Sequence, residues 1–345
     1  MDEELLSKLL TTPGISGREE RIREVVKQEI EPLVDEVRVD RMGNLIATRA
    51  GSGPRVMLAA HMDAIGFLVR HIDDDGFLRI SPVGGFDARV LVMQRVLVQG
   101  KEDLIGVISP MQKPIHMLEE EDKKKVPKVE TLFVDVLRPA DEVKELVTIG
   151  DPVSLYREPM ITDRTVVAPY LDDRLSVYVL LEALKRAKDA KAEIHAVVSV
   201  QEEVGTRGAA TSAYGIEPDL GIALDITIAA DVPGVDPVDR VTVIGQGTSL
   251  SVMDSLAISD PRLVKWFREL ADADGIKYQL EVLLGGGTDA AAMQMARAGV
   301  PVITLGPPCR YVHTVNEAAH VDDIEATVAL VTRFLERADE FELDF

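Results

Sequence analysis

The 345-residue sequence has a single cysteine, Cys309. One cysteine cannot close an internal disulfide, and it rules out any multi-cysteine zinc or iron–sulfur site. Basic charge is scarce: 38 Lys and Arg face 59 Asp and Glu, a formal net charge of −21. Phosphate binding needs a basic face, so this balance argues against nucleic acid as a partner, and equally against an anionic membrane surface. No run approaches the roughly 18 apolar residues of a membrane helix. The N-terminal Met-Asp-Glu-Glu-Leu-Leu lacks the basic start of a signal peptide, so the expected location is the cytoplasm. Also missing are the HExxH zincin motif, the G-x-S-x-G nucleophile elbow and the G-x-x-x-x-G-K-[ST] phosphate loop. The remainder is globular in character, at 46% hydrophobic and 28% charged. Its length suits one large domain or two smaller ones.

Helical spacing runs from about residue 3 to 33, broken at Thr11-Thr12-Pro13-Gly14. Leu5, Leu6, Leu9 and Leu10 form one apolar stripe, and Ile22, Val25, Val26 and Ile30 another. Ser16 reads as an N-cap, with Glu19 completing a capping box. Strand-like runs follow at 37–39, 44–48 and 55–60. From residue 65 to about 156, short β-like runs alternate with Gly, Pro and Asp turns, at 66–69, 77–80, 90–98, 105–108, 132–136 and 153–155. They read as a small β-barrel or sandwich. Between its strands lies a highly charged stretch, 116–125, with the composition of a solvated loop. From residue 167 the pattern becomes α/β, with helices at 175–187, 260–272, 290–298 and 321–336 and strands at 195–200, 221–228 and 300–305. Such alternation implies a mostly parallel sheet covered on both faces. A β module thus interrupts an α/β domain that begins before it and resumes after it.

Polar residues stranded at the ends of apolar runs could carry chemistry. The run Arg55-Val56-Met57-Leu58-Ala59-Ala60 ends in His61-Met62-Asp63. Residues two apart on a strand share a face, so Asp63 could accept a hydrogen bond from the His61 ring, as behind a metal-binding histidine. Alone, the motif is equally a capped strand end. Asp172 and Asp173 precede an apolar helix, where they could be N-terminal helix charges or could bridge two metals. Glu202 and Glu203 close the strand 195–200, and like charges there cost energy unless cations or protons neutralise them. Asp225 ends the run Gly221-Ile222-Ala223-Leu224, and His313 follows the strand 300–305. Each signal is weak, but acids and imidazoles recur where parallel strands end, the place open α/β sheets keep their active sites. Three carboxylates and two histidines suit a two-metal site. Asp172, Glu203 and Asp225 with a bridging hydroxide would balance two divalent cations, leaving Glu202 over as a base. The loop Gly285-Gly286-Gly287-Thr288-Asp289 reads as backbone exposed beside the metals, or as a helix start capped by Thr288 or Asp289. Cys309 is read as structural.

In order, His61-Met62-Asp63, Leu171-Asp172-Asp173-Arg174, Gln201-Glu202-Glu203-Val204-Gly205, Ala223-Leu224-Asp225, Gly285-Gly286-Gly287-Thr288-Asp289-Ala290 and Cys309-Arg310-Tyr311-Val312-His313 resemble the M42 family of metallo-aminopeptidases. That family includes the tetrahedral (TET) and glutamyl aminopeptidases. The similarity also takes in Pro13-Gly14-Ile15-Ser16-Gly17-Arg18-Glu19 and Ile149-Gly150-Asp151-Pro152-Val153. The resemblance implies a zinc-exopeptidase-like catalytic domain, 1–64 and 159–345, and an inserted PDZ-like dimerisation domain, 65–158. It implies two divalent metals per subunit, zinc or cobalt. His61, Asp172 and Asp225 would hold one and Asp172, Glu203 and His313 the other, with Asp172 bridging and the Asp172–Asp173 peptide cis. Glu202 would be the general base for a metal-bridged water, with Asp63 as a further catalytic residue. The segment near His116 corresponds to a mobile loop that can approach a neighbouring subunit's site. Asp135-Val136-Leu137 departs from the family's Asp-x-Gly. The implied activity is removal of N-terminal residues from short peptides, by a homo-oligomer whose dimers join into a tetrahedral dodecamer. Two rivals share these residues: a deacylase acting on small N-acyl compounds, and a non-catalytic cage-forming scaffold.

Overall fold

The computed structural model describes residues 1–343. Its framework is an eight-stranded sheet in the order Glu36–Val39, Leu45–Arg49, Glu193–Ser199, Arg55–His61, Leu220–Leu224, Val302–Gly306, Thr248–Met253, Tyr278–Val282. The four central strands, Glu193–Ser199 to Val302–Gly306, run parallel. The hairpin at one edge pairs antiparallel, as does Thr248–Met253 against Val302–Gly306. The sheet is therefore mixed and mostly parallel, as the alternation of strands and helices implied.

Successive side chains of a strand point to opposite faces, so each central strand feeds two cores. Val56, Leu58 and Ala60 pack with the helices Glu3–Thr11, Glu20–Ile30, Leu171–Arg186, Pro261–Asp274 and Val321–Arg337. Met57 and Ala59 pack with Arg207–Ile216 and Asp289–Gln294. Leu171–Arg186 is buried almost all round, as a helix with apolar residues on every face must be. It even buries Arg174, whose guanidinium donates to the carbonyls of Leu9, Thr12 and Gly14 at 3.1, 3.1 and 3.0 Å. Among the described residues, no helix is long and apolar enough to cross a membrane.

A second sheet of five strands runs Met160–Ile161, Thr165–Ala168, Glu317–His320, Pro308–Arg310, Thr227–Ile228. The single strand expected at 221–228 is thus broken: Leu220–Leu224 belongs to the large sheet and Thr227–Ile228 to the small one. Asp225 sits at the break. Gly306 makes room for it, since a Cβ there would lie 1.7 Å from the Asp225 carbonyl oxygen.

Between the two parts of this domain the chain closes a six-stranded barrel, Gly66–Ile72, Leu78–Val83, Leu132–Asp135, Asp103–Pro110, Arg95–Gln99 and Pro152–Leu155. The barrel has its own core, including Phe67, Ile80, Val96, Ile108 and Val134. That core extends onto Tyr170 and Val315, and the Tyr170 hydroxyl donates to the Leu155 carbonyl at 2.7 Å. The barrel therefore abuts both segments that carry Asp172 and His313. Two local readings change. The strand expected over 90–98 begins as a short helix, Ala88–Leu91, and only Arg95–Gln99 is strand. Ala140–Leu146 is helical, with no sequence reading behind it. Leu137, where the resemblance leads one to expect glycine, takes the left-handed conformation glycine favours, at φ 55°. The stretch 111–131 is exposed almost throughout and contains three short 3-10 turns.

Candidate metal centre

The ends of the central parallel strands place the site. His61 ends Arg55–His61 and pairs in register with Ser199, so Gln201-Glu202-Glu203 emerge beside it. Asp225 follows Leu220–Leu224 on the next strand. Asp172 and Asp173 start the helix after Thr165–Ala168, joined by a cis peptide. His313 follows Pro308–Arg310. Six of the seven residues singled out from the sequence thereby meet in direct pairs: His61, Asp63, Asp172, Glu202, Glu203 and His313.

Asp172 lies at the centre. One carboxylate oxygen is 3.2 Å from His61 Nε2, and the other is 3.3 Å from His313 Nε2. His313 Nε2 is also 3.3 Å from Glu203 Oε2, and His61 Nε2 is 3.8 Å from Glu202 Oε2. Two sets of ligand atoms fall within 4.8 Å of one another: Asp172, Glu203 and His313, and His61, Asp173 and Asp225. The second set contains Asp173 where the resemblance implied Asp172. Asp173 Oδ2 accepts the His61 backbone N–H at 3.2 Å, while its buried Oδ1 has no hydrogen-bond partner among the described residues.

Asp63 does not behave as the strand-face argument expected. His61 Nδ1 donates to the Asp63 backbone carbonyl at 3.0 Å, and the Asp63 carboxylate is 3.6 Å away. A carbonyl only accepts, so Nδ1 carries a proton and Nε2 is the ring atom that faces the acids. The carboxylate does a different job. It accepts the backbone N–H groups of Glu202 at 2.9 Å and Glu203 at 3.2 Å, and the Ser16 hydroxyl at 2.6 Å. Ser16 is therefore not a helix cap. The helix starts at Glu20, and the Glu19 side chain accepts the Gly17 N–H at 2.6 Å. A long-range carboxylate outcompetes the local capping box for this hydroxyl.

Glu317 mirrors Asp63 on the other side. It is 2% exposed and accepts the backbone N–H of Asp172 at 3.1 Å and of His313 at 2.7 Å. Nothing in the sequence pattern marks it, since it opens a short strand with no apolar run before it. Thr288 caps its helix by accepting the Ala290 N–H, and Asp289 is buried with Oδ2 accepting the Ser199 hydroxyl at 2.5 Å. The capping reading of the glycine loop holds at Thr288, and Gly286, Gly287 and Thr288 also line the cavity over the acids.

The electrostatics show what these residues fit. Burial, reinforced by Asp173, pushes the Asp225 carboxyl well above its usual range. Burial likewise raises Glu202, helped by Asp289, Glu203 and Asp63, and raises Glu203, helped by Asp172. Burial opposes charge on the imidazoles, yet His61 is pushed well above its usual value by Asp172, Asp173 and Glu202. His313 is pushed to about 11 by Asp172 and Glu203. Among the described residues, no Lys or Arg side chain forms an ion pair with Asp172, Glu202, Glu203 or Asp225, and buried Glu203 Oε1 has no partner. A crowd of buried acids without a fixed cation is unfavourable as it stands. Oxygen and imidazole donors in two adjoining sets suit divalent ions. Cys309 is buried, and burial lifts its thiol well above the usual value, so it supplies no thiolate.

The profile of the M42 glutamyl aminopeptidase family matches residues 43–330. The chain belongs to the M42 family. A lysyl aminopeptidase of Pyrococcus furiosus is 35% identical over 97% of this chain and 97% of its own length. An aminopeptidase structure from the archaeon Desulfurococcus kamchatkensis superposes with a TM-score of 0.93 at 36% identity, covering 98% of this chain and 95% of that one. The Pyrococcus horikoshii TET1 peptidase, described as assembling into a tetrahedron or a large octahedral shell, gives 0.86 at 33% identity over 96% of this chain and 98% of its own. As an M42 protein the chain is an aminopeptidase, a hydrolase acting on peptide bonds, and the family implies a divalent metal.

Proposed function

We propose that this M42 protein is a dinuclear metal-dependent aminopeptidase that removes N-terminal residues from short peptides. The observation that carries the reading is Asp172, whose two oxygens face His61 on one side and His313 on the other. His61, Asp172 and Asp225 would hold one divalent ion, and Asp172, Glu203 and His313 the other; zinc or cobalt suits this donor set. When bound, such ions supply positive charge that acidifies water and stabilises a developing oxyanion. Glu202 is the general base. It is set beside His61 but makes the longer contact, 3.8 Å, which leaves its carboxylate available for proton transfer. Its carboxylate takes the proton of the attacking water and delivers it to the nitrogen of the departing peptide. Asp63 acts through the backbone of Glu202 and Glu203 rather than on substrate.

On the same reading, residues 1–64 and 159–345 form the catalytic domain and 65–158 an inserted dimerisation domain. The working form is a homo-oligomer, with dimers joining into a dodecamer in the cytoplasm. The shells described for the Pyrococcus horikoshii relative support that assembly.

Glu202→Gln tests the assignment. Metal content per chain should stay near that of the parent, while kcat falls by about 10²–10⁴-fold. Near-parental kcat sinks the base assignment, and loss of both metals means that Glu202 is a ligand. Cleavage of free-amine peptides but not their N-acetylated forms separates this reading from a deacylase.

A further inference from the structure

Family membership leaves the preferred N-terminal side chain open, since the family carries a glutamyl name and the Pyrococcus furiosus relative a lysyl one. The walls of the cavity address it. The cavity, of about 320 Å³, combines the acids and His313 with a second lining of Ile226, Thr227, Ile228, Leu283 and Val312. Apart from the Thr227 hydroxyl, those side chains are wholly apolar. The apolar surface continues outward. Leu256, 64% exposed, packs so closely on cavity-lining Gly287 that a Cβ there would meet its Cδ1 at 2.4 Å.

We propose that this site selects an uncharged aliphatic N-terminal residue, of the size of leucine, isoleucine or methionine, and discriminates against glutamate and lysine. The proposal rests on the aminopeptidase reading above. A glutamate side chain would find no Lys or Arg in the apolar wall, since among the described residues neither lines the cavity. Arg310, two residues before Val312, is spent in a two-pronged pair with Asp231, both contacts at 2.6 Å. A lysine side chain would need a carboxylate in the apolar wall. Glu281, two residues before Leu283, is 4% exposed and holds the Ser249 hydroxyl at 2.6 Å, and it does not line the cavity. Moving a charged side chain out of water against such a wall, without a partner, is costly. An aliphatic one gains by burial there. In apolar pockets even one methylene is worth about 10–200-fold in kcat/KM.

The test measures kcat/KM of the metal-loaded enzyme on leucyl, isoleucyl, methionyl, alanyl, lysyl and glutamyl p-nitroanilides. The three large aliphatic substrates should lead lysyl and glutamyl by about tenfold or more. Ile228→Arg should raise the glutamyl-to-leucyl ratio by about tenfold, because it sets a cation in the wall. Ile228 is 40% exposed, which favours folding of that variant. Ile228→Ala, a milder change, should lower the leucyl-to-alanyl ratio. Lysyl or glutamyl turnover matching leucyl overturns the side-chain inference and leaves the aminopeptidase reading standing. Ratios unchanged in both variants overturn the assignment of this wall. Hydrolysis of none of the six overturns the reading and the inference together.

Discussion

The Asp63 carboxylate accepts the backbone N–H of Glu202 at 2.9 Å. A single buried acid thereby fixes where the proposed base and its neighbour Glu203 leave the strand, across 139 residues of chain. Asp63→Asn keeps the size but presents an amide nitrogen to a group that can only donate. Groups that orient ligands typically change activity or metal affinity by about 10–100-fold. The expected result is a kcat reduced by that order with both metals retained at saturating metal. A variant with parental kcat would mean that the Glu202 backbone is held well enough without Asp63.

Glu317 allows a matching experiment on the other half of the site. Glutamine offers one acceptor oxygen where the carboxylate offers two, so either the Asp172 or the His313 N–H loses its partner. Glu317→Gln should weaken binding of at least one divalent ion by about 10–100-fold, read by titrating metal into the chelator-stripped variant. If thermal stability falls while both affinities match the parent, Glu317 is a structural residue only.

Glu19 gives stability a pH dependence. Burial, aided by Asp63, lifts its carboxyl from an ordinary 4.5 to about 7. Between these values the folded chain holds a proton that the unfolded chain has released, so stability falls as pH rises and the loss is complete above about 7. Glu19→Gln keeps an oxygen for the Gly17 N–H and cannot ionise. It should match the parent near pH 4.5 and exceed it at pH 8 by up to about 3 kcal/mol. Denaturant unfolding at the two pH values decides the matter; a difference that does not grow with pH would show that Glu19 is not neutral when folded.

What the sequence made legible was whatever its local pattern encodes. His61, Glu203 and Asp225 stand out because each interrupts an apolar strand at its end, and the fold brings such ends together. The barrel was legible from short runs and turns. Roles set by distant partners were not. Ser16 and Glu19 satisfy a capping pattern, but their partners are Asp63 and Gly17. Glu317 is known only through two N–H groups that the fold delivers to it. The helix Arg207–Ile216 was missed because it starts behind a left-handed Thr206 and carries two glycines. The strand Thr248–Met253 was missed because its serines are buried with hydrogen-bonding partners, Glu281 among them, which no apolar alternation reveals.

Assembly should depend on salt. Each chain carries −21, so copies repel one another until ions screen them. At about 0.15 M salt the screening length is only about 8 Å, and apolar contact can then prevail. Candidate contact surface exists on both parts of the molecule: Ile105, Met111 and Ile149 are exposed on or beside the barrel strands, and Leu280 and Val282 on the edge strand of the large sheet. That edge strand has one neighbour and leaves backbone groups free to pair. Light scattering across a salt series should therefore show a large particle at moderate and high salt that shrinks toward dimers at low salt. An enclosed particle would also trim short peptides and spare folded proteins, so both substrate types belong in the same series. A monomer at every salt concentration would refute the assembly, and efficient trimming of a rigid folded protein by the large particle would refute the enclosure.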